Sequence, residues 1–230
     1  RINIFESLFL MNTAQQRMSG KVLNPKLLYI SVAPEFLEES VSELSSKEKL
    51  SIQSNLMLVS SIQAHKDNET CLYCLKLLCE QFPNTPWVLR VAGGQSIAQW
   101  SQFEELAEKL GLKDHVEILG PINKNLLSYQ MHRSLCLINS SRIESFCMVA
   151  IEAMAASCPV IVVDSTSMPE SVEQAAIIVK PSSAKMFADA VITFHNNDEL
   201  RLDYIKRGRE RASKMKYSEF SSMLSRYLTE

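Results

Sequence analysis

The amino-acid sequence predicts an α/β protein with a Rossmann-like, doubly wound sheet of six parallel strands. Two observations carry this. From residue 55 onward, short apolar runs rich in β-branched residues alternate with longer amphipathic stretches. Glycines close two of those short runs, as they do at strand ends. The first strand is residues 55–62 (NLMLVSSI), and a helix follows over 68–82. Residues 87–92 (WVLRVA) form the second strand, closed by Gly93 and Gly94. The next helix sets Ile97, Trp100, Phe103, Leu106 and Leu110 on one stripe and stops at Gly111, a suitable C-terminal cap. Residues 116–119 (VEIL) are the third strand, closed by Gly120. A short helix near 124–132 leads to the fourth strand at 135–139 (LCLIN). A helix over 146–157, a fifth strand at 159–163 (PVIVV) and a sixth at 176–179 (AIIV) complete the sheet. Ser182 or Ser183 can cap a helix carrying Met186, Phe187, Ala190, Val191 and Phe194. Two more helical stretches, 198–214 and 217–228, end the chain.

Residues 1–54 fit this rhythm less well. Residues 4–18 read as a helix closed by Gly20, 27–33 (LLYISVA) as a strand, and 40–50 as a polar loop or short helix. The chain is therefore expected to divide in two. Residues 1–54 would be the end of another domain or an interdomain connection, and 55–230 the sheet domain with its closing helices.

Composition narrows the function. There are 24 Lys+Arg against 26 Asp+Glu, for a net charge of −2, with 46% apolar and 22% charged residues. That is ordinary for a soluble globular protein and argues against a nucleic-acid partner, which usually meets a basic surface. No apolar run approaches the ~20 residues of a membrane span, so no transmembrane segment is expected. The first residues also lack the apolar stretch of a signal peptide. Six cysteines without a secretory signal suggest reduced thiols, and Cys71, Leu75, Leu78 and Cys79 fall on one helix face rather than in a metal-ligand pattern. A cytoplasmic protein is expected, peripheral to the inner face of a membrane if it meets one. Glycine is scarce, with six in 230 residues, which limits the tight turns and close backbone approaches that phosphate sites use.

In the commonest six-strand order, 3-2-1-4-5-6, ligands bind where the chain reverses, outside the carboxyl ends of the first and fourth strands. Two loops lie there, 60–66 and 139–145. The second enters the helix FCMVAIEAMAAS, whose only charged residue is Glu152. A buried carboxylate needs a partner, and Glu144 stands eight positions earlier at the helix mouth. Free amides at such a helix start bind phosphate, and carboxylates accept hydroxyl hydrogen bonds from sugars and ribose. The ordinary alternative is a solvent-facing Glu152 and a helix-start Glu144. Lys66, at the end of the first loop, can reach a phosphate from the opposite wall or be a solvated charge. Gly93 and Gly94 can be a ligand approach or only a turn.

From residue 55 to 217 the sequence resembles the C-terminal, donor-binding domain of GT-B fold glycosyltransferases. It is most similar to the large retaining family that includes sucrose synthase and many bacterial mannosyl- and glucosyltransferases. The match is carried by Glu144, Ser145, Phe146 and the run to Glu152-Ala-Met-Ala, followed by Pro159-Val160-Ile161, against a family pattern of E-G/S-F-G-L-x-x-L-E-A-M-A-x-G-x-P-V-I. Lys66, the segments 91–94 and 116–120, and Ser167-Met168-Pro169-Glu170 agree in order and spacing. The resemblance implies that Glu144 contacts the transferred sugar and Glu152 the ribose. It implies that backbone amides of Cys147, Met148 and Val149 meet the diphosphate, with Lys66 neutralising it as it leaves. Gly93 and Ser61 would lie beside the donor, and Ile118 and Leu119 near the base. The implied substrate is a nucleotide sugar, with no other cofactor and no metal. The acceptor (a glycan, lipid or protein) would come through an N-terminal acceptor domain or a partner subunit.

This sequence departs from the pattern at four ligand-facing or turn positions. The family's Gly-Arg is Ser60-Ser61 here, so an arginine that assists the lysine is missing. Cys147 and Ser157 stand where glycines are common. Two readings follow: the donor half of a retaining glycosyltransferase, or a degenerate, non-catalytic nucleotide-binding or interaction module.

Overall fold

The computed structural model describes residues 2–18, 20–22, 24–37, 54–94 and 97–229. The chain enters as β1 (Asn3–Phe5), α1 (Leu8–Arg17) and β2 (Pro25–Leu27), and β1 and β2 pair in parallel. This corrects two sequence expectations. Residues 4–18 do not start as a helix, because Ser7 accepts from Leu10 N at 3.2 Å and caps α1 only after a strand. Residues 28–33 form no strand: Leu28 N makes the last bond of the β1–β2 ladder, to Phe5 O, and Val32 N turns instead to Met215 O. No single neighbour offers them a ladder. A short helix, α2 (Pro34–Leu37), follows. The polar stretch 40–50 lies outside the described residues.

The main domain alternates as expected. The elements are β3 (Asn55–Val59), a 3₁₀ turn (Ala64–Lys66), α3 (Asn68–Gln81), β4 (Val88–Ala92) and α4 (Ile97–Lys109). Next come β5 (Val116–Gly120), α5 (Lys124–His132), β6 (Cys136–Asn139), α6 (Met148–Ala155) and β7 (Val160–Val163). Then follow α7 (Met168–Val172), β8 (Ile177–Val179), α8 (Ala184–Asn196), α9 (Asp198–Ser213) and α10 (Tyr217–Thr229). The six strands β3 to β8 form one parallel sheet in the order β5-β4-β3-β6-β7-β8, the predicted doubly wound order. Strands in such a sheet are covered on both faces, which is why they are continuous apolar runs. Leu56, Met57, Leu58, Leu137, Ile138 and residues 160–163 of β7 are 0–1% exposed. The Pro-containing α7 went unread in the sequence; it is one turn long and too short for periodicity to show.

Two packing features place the site. Helix α3 lies against α8, and α9 lies against α6. At the second contact Gly208 lets α9 approach closely: a Cβ there would meet Met154 Cγ at 3.0 Å. The closing helix α10 returns to the N-terminal segment, where Tyr227 donates its hydroxyl to Leu27 O at 2.9 Å.

Candidate functional site

A cleft of about 420 Å³ opens at the carboxyl ends of β3, β4 and β6, the point where the sheet order reverses. Its floor begins with the turn after β3. Ser61 O is held there by Asn68 Nδ2 at 2.8 Å and by Ser60 Oγ at 2.9 Å. Gly93 is required at this point, because its φ is +150° and a Cβ would meet Ser60 O at 2.0 Å. The 3₁₀ turn then delivers Lys66. Buried Ser140 grips that turn, donating to Lys66 O at 2.9 Å, and Arg142 N donates to His65 O at 2.7 Å.

Lys66 and Glu144 meet in the cleft: Nζ donates to Oε1 at 2.6 Å, with side chains 21% and 18% exposed. Helix α6 starts beside them without a side-chain cap, so its first amides have no side-chain acceptor there. Ser145, Phe146, Cys147, Met148 and Val149 complete this wall. Cys147 contributes backbone only. Its thiol is 1% exposed, accepts from Asn139 Nδ2 at 3.2 Å, and is pushed up to about 12 by burial, reinforced by the Glu144 charge. Its φ of −55° needs no glycine, so the substitution neither strains the turn nor fills the cleft.

The structure therefore brings Lys66, Ser61, Gly93, Glu144, Cys147, Met148 and Val149 together. It does not bring the other three candidates into that lining. Ile118 lines a separate hollow of about 300 Å³ with Glu104, Ala107 and Lys113, and Leu119 packs on the core. Glu152 sits one turn along α6, half-buried. Burial pushes its carboxyl up to about 7; Lys124 opposes this and Glu35 adds to it. Glu35 Oε2 is itself buried without a partner. The missing arginine is not replaced inside the cleft. Arg142 turns away, donating from Nη2 to Ala64 O at 2.7 Å and lining a neighbouring hollow. Lys66 is the one cation lining the cleft among the described residues.

Sequence reasoning missed Glu6 and Ile30, which reach the same cleft from the N-terminal segment. No local pattern marks them, since they reach the cleft through the packing of a segment distant in sequence. Tyr29 beside Ile30 stacks on Phe146 with centroids 5.0 Å apart. Among the described residues no group of three or more His, Cys, Asp or Glu is arranged to hold a metal ion. Nor is any described helix long and apolar enough to cross a membrane.

Comparison with known proteins agrees with this geometry. The family model described as Glycosyl transferases group 1 matches residues 42–211. The chain is 24% identical over 223 residues to the alpha-1,3/1,6-mannosyltransferase ALG2 of Mus musculus, covering 90% of this chain and 53% of that protein. It is 25% identical over 172 residues to the D-inositol 3-phosphate glycosyltransferase of Corynebacterium urealyticum, covering 72% and 40%. The chain thus spans about half or less of the length of these curated relatives. Among solved structures, the sucrose-phosphate synthase of Thermosynechococcus elongatus superposes with a TM-score of 0.84 at 21% identity, over 99% of this chain and 57% of that one. A structure from E. coli described as trehalose-6-phosphate bound with UDP-2-fluoro glucose also gives 0.84, at 14% identity, over 100% and 60%. With the reversal-point cleft, the six-stranded order and a family match over most of its length, this chain belongs to the group 1 glycosyl transferases and has the GT-B fold.

Proposed function

We propose that this chain is the nucleotide-sugar-binding half of a retaining glycosyltransferase. The observation that carries the reading is the Lys66–Glu144 pair, 2.6 Å apart at the uncapped start of α6. A diphosphate entering the cleft replaces Glu144 as the partner of Lys66. The amides of Cys147, Met148 and Val149 supply the remaining donors. When the bond from sugar C1 to the phosphate oxygen breaks, its electron pair stays on the diphosphate. Lys66 and these oriented dipoles stabilise that charge, so no metal is needed for it. The acceptor hydroxyl oxygen then bonds C1 from the same face, with retention, and its proton passes to the departing diphosphate oxygen. Glu144, released from Lys66, accepts from hydroxyls of the transferred sugar, and Glu152 lies further along α6 for the ribose. Ile118 and Leu119 lie outside this cleft lining and are proposed to flank the base, which extends beyond the diphosphate.

Residues 1–54 belong, on this reading, to the end of the acceptor domain and the interdomain connection, which is supported by Glu6 and Ile30 reaching the cleft from that side. The acceptor half lies in further sequence or on a partner subunit. A similar protein in Schizosaccharomyces pombe is named a phosphatidylinositol N-acetylglucosaminyltransferase subunit. That name supports a lipid as one acceptor class, and with it a cytoplasmic protein working at the inner face of a membrane.

The test uses the complete protein with Lys66→Ala and Glu144→Ala. Each is expected to lower sugar transfer by about 10²-fold or more. Calorimetry with UDP and GDP should show weaker binding in Lys66→Ala and little change in Glu144→Ala. Wild-type transfer rates in both variants would overturn the reading. A second reading, a nucleotide-binding module without catalysis, is favoured by one observation: among the described residues the one cation lining the cleft, Lys66, is already paired. Nucleotide binding in the wild type without transfer to any acceptor would support it.

A further inference from the structure

We infer that the loop 165–167 is a clamp that positions Glu144, with Thr166 as its key residue; this rests on the proposed role of Glu144 in the cleft. Thr166 has a φ of +49°. A β-branched residue in the left-handed region is an outlier. Such a conformation persists only where its surroundings over-determine it, and it tends to mark functional sites. The surroundings here converge on the short segment 142–144. Thr166 Oγ1 accepts from Glu144 N at 3.0 Å. Ser167 Oγ donates to Glu144 O at 2.9 Å, and Ser167 is fully buried. Ser165 Oγ donates to Arg142 O at 2.5 Å.

Both polar groups of the Glu144 backbone are thus held by side chains that follow β7, a different strand from the β6 that precedes Glu144. The loop itself is anchored from below. Ser171 donates to Ser167 O through both its backbone N and its Oγ, each at 2.9 Å. The Glu144 side chain remains the only mobile part of the residue, and it swings from a fixed Cα between Lys66 and a ligand hydroxyl. Fixing that Cα matters because an error of about 1 Å in a reacting constellation costs up to roughly 10²-fold in rate. A simple turn does not require these bonds: a glycine would relieve the φ of Thr166 but would leave Glu144 N without its acceptor.

Two readouts test the clamp. The first is amide exchange at Glu144, measured by NMR in the full chain. Thr166→Val keeps the branching and removes the acceptor, so Glu144 exchange should rise roughly ten-fold or more while the sheet amides keep their protection. Thr166→Ser should restore slow exchange. Unchanged exchange in Thr166→Val, or a rise spread evenly over the sheet, overturns the proposal. The second readout is nucleoside diphosphate release from UDP-glucose or GDP-mannose by the complete protein. Thr166→Val should lower kcat about ten-fold or more with UDP and GDP affinity within about two-fold. In a Glu144→Gln background it should cost nothing further. Losses that multiply in the double variant overturn the positioning role. If the complete protein neither binds nucleotide nor transfers sugar, the functional reading fails, and the exchange experiment still decides the clamp.

Discussion

Glu152 shows how one residue's surroundings override its ordinary chemistry. Its carboxyl is pushed from 4.5 to about 7, mainly by burial. The folded protein therefore holds this proton more tightly than the unfolded chain. The linked stability is fully present below the ordinary value of 4.5 and is lost as the pH rises through about 7. Glu152→Gln removes the buried charge. It should melt above the wild type at pH 8 and level with it near pH 4, as thermal unfolding across that range would show; an equal offset at both pH values would exclude Glu152 as the source. The motif made Glu144, Glu152 and Lys66 legible as candidates, because spacing along a helix is a local property. It did not reveal that Lys66 and Glu144 would be bonded to each other, or that Glu152 would face Glu35 and Lys124. Those contacts join segments whose separation in sequence carries no periodicity.

At the scale of elements, scarcity of glycine leaves its mark at helix ends. Gly111, with φ +74°, ends α4: its N bonds Glu108 O at 2.9 Å and Leu112 N bonds Ala107 O at 2.8 Å. This is the Schellman closure, which places a left-handed residue just past the cap. Helix α6 closes the same way, with Ser157 N on Met154 O at 3.1 Å and Cys158 N on Ala153 O at 2.9 Å. Yet the left-handed position, φ +62°, holds Ser157. A non-glycine residue there costs about 1–2 kcal/mol. Ser157→Gly should therefore stabilise the protein by about 1 kcal/mol after its own loss of chain entropy, raising Tm by roughly 2–4 °C; calorimetric melting checks this, and an unchanged or lower Tm contradicts it. Helix and strand positions were largely readable, since caps such as Ser183 on Met186 N act within one turn. The fourth-strand helix was read two residues too long at each end, because its apolar run continues past the backbone bonds that define it.

For the whole molecule, the decisive contact is between the N-terminal segment and the sheet domain. Glu170 places its carboxylate on the start of α1, accepting from Leu8 N at 2.6 Å and Phe9 N at 3.1 Å. Tyr29 donates its hydroxyl to the same carboxylate at 3.0 Å, and the Arg211 guanidinium lies over the Tyr29 ring at 5.5 Å. Burial and the Glu170 charge push Tyr29 up to about 12, so it remains a donor at neutral pH. A carboxylate at a helix start meets both free amides and the positive end of the dipole. Glu170→Ala should loosen this docking by about 1–2 kcal/mol. Amides of α1 should then exchange faster while those of β3 and β6 keep their protection; equal acceleration in both would mean a global loss instead. Glu170 was visible in the sequence only as part of a motif, Ser167-Met168-Pro169-Glu170, without a function. By itself the sequence determined the class of fold and where its strands and helices fall, and the commonest six-strand order then marked the loops 60–66 and 139–145 at the reversal point, because hydrophobic period and turn chemistry act over a few residues. Only the tertiary structure decided that Lys66 and Glu144 pair, that the Cys147 thiol turns inward, and that Glu6 and Ile30 share the cleft. Each of these depends on how distant segments pack, where burial and charge are set by neighbours that local pattern does not encode.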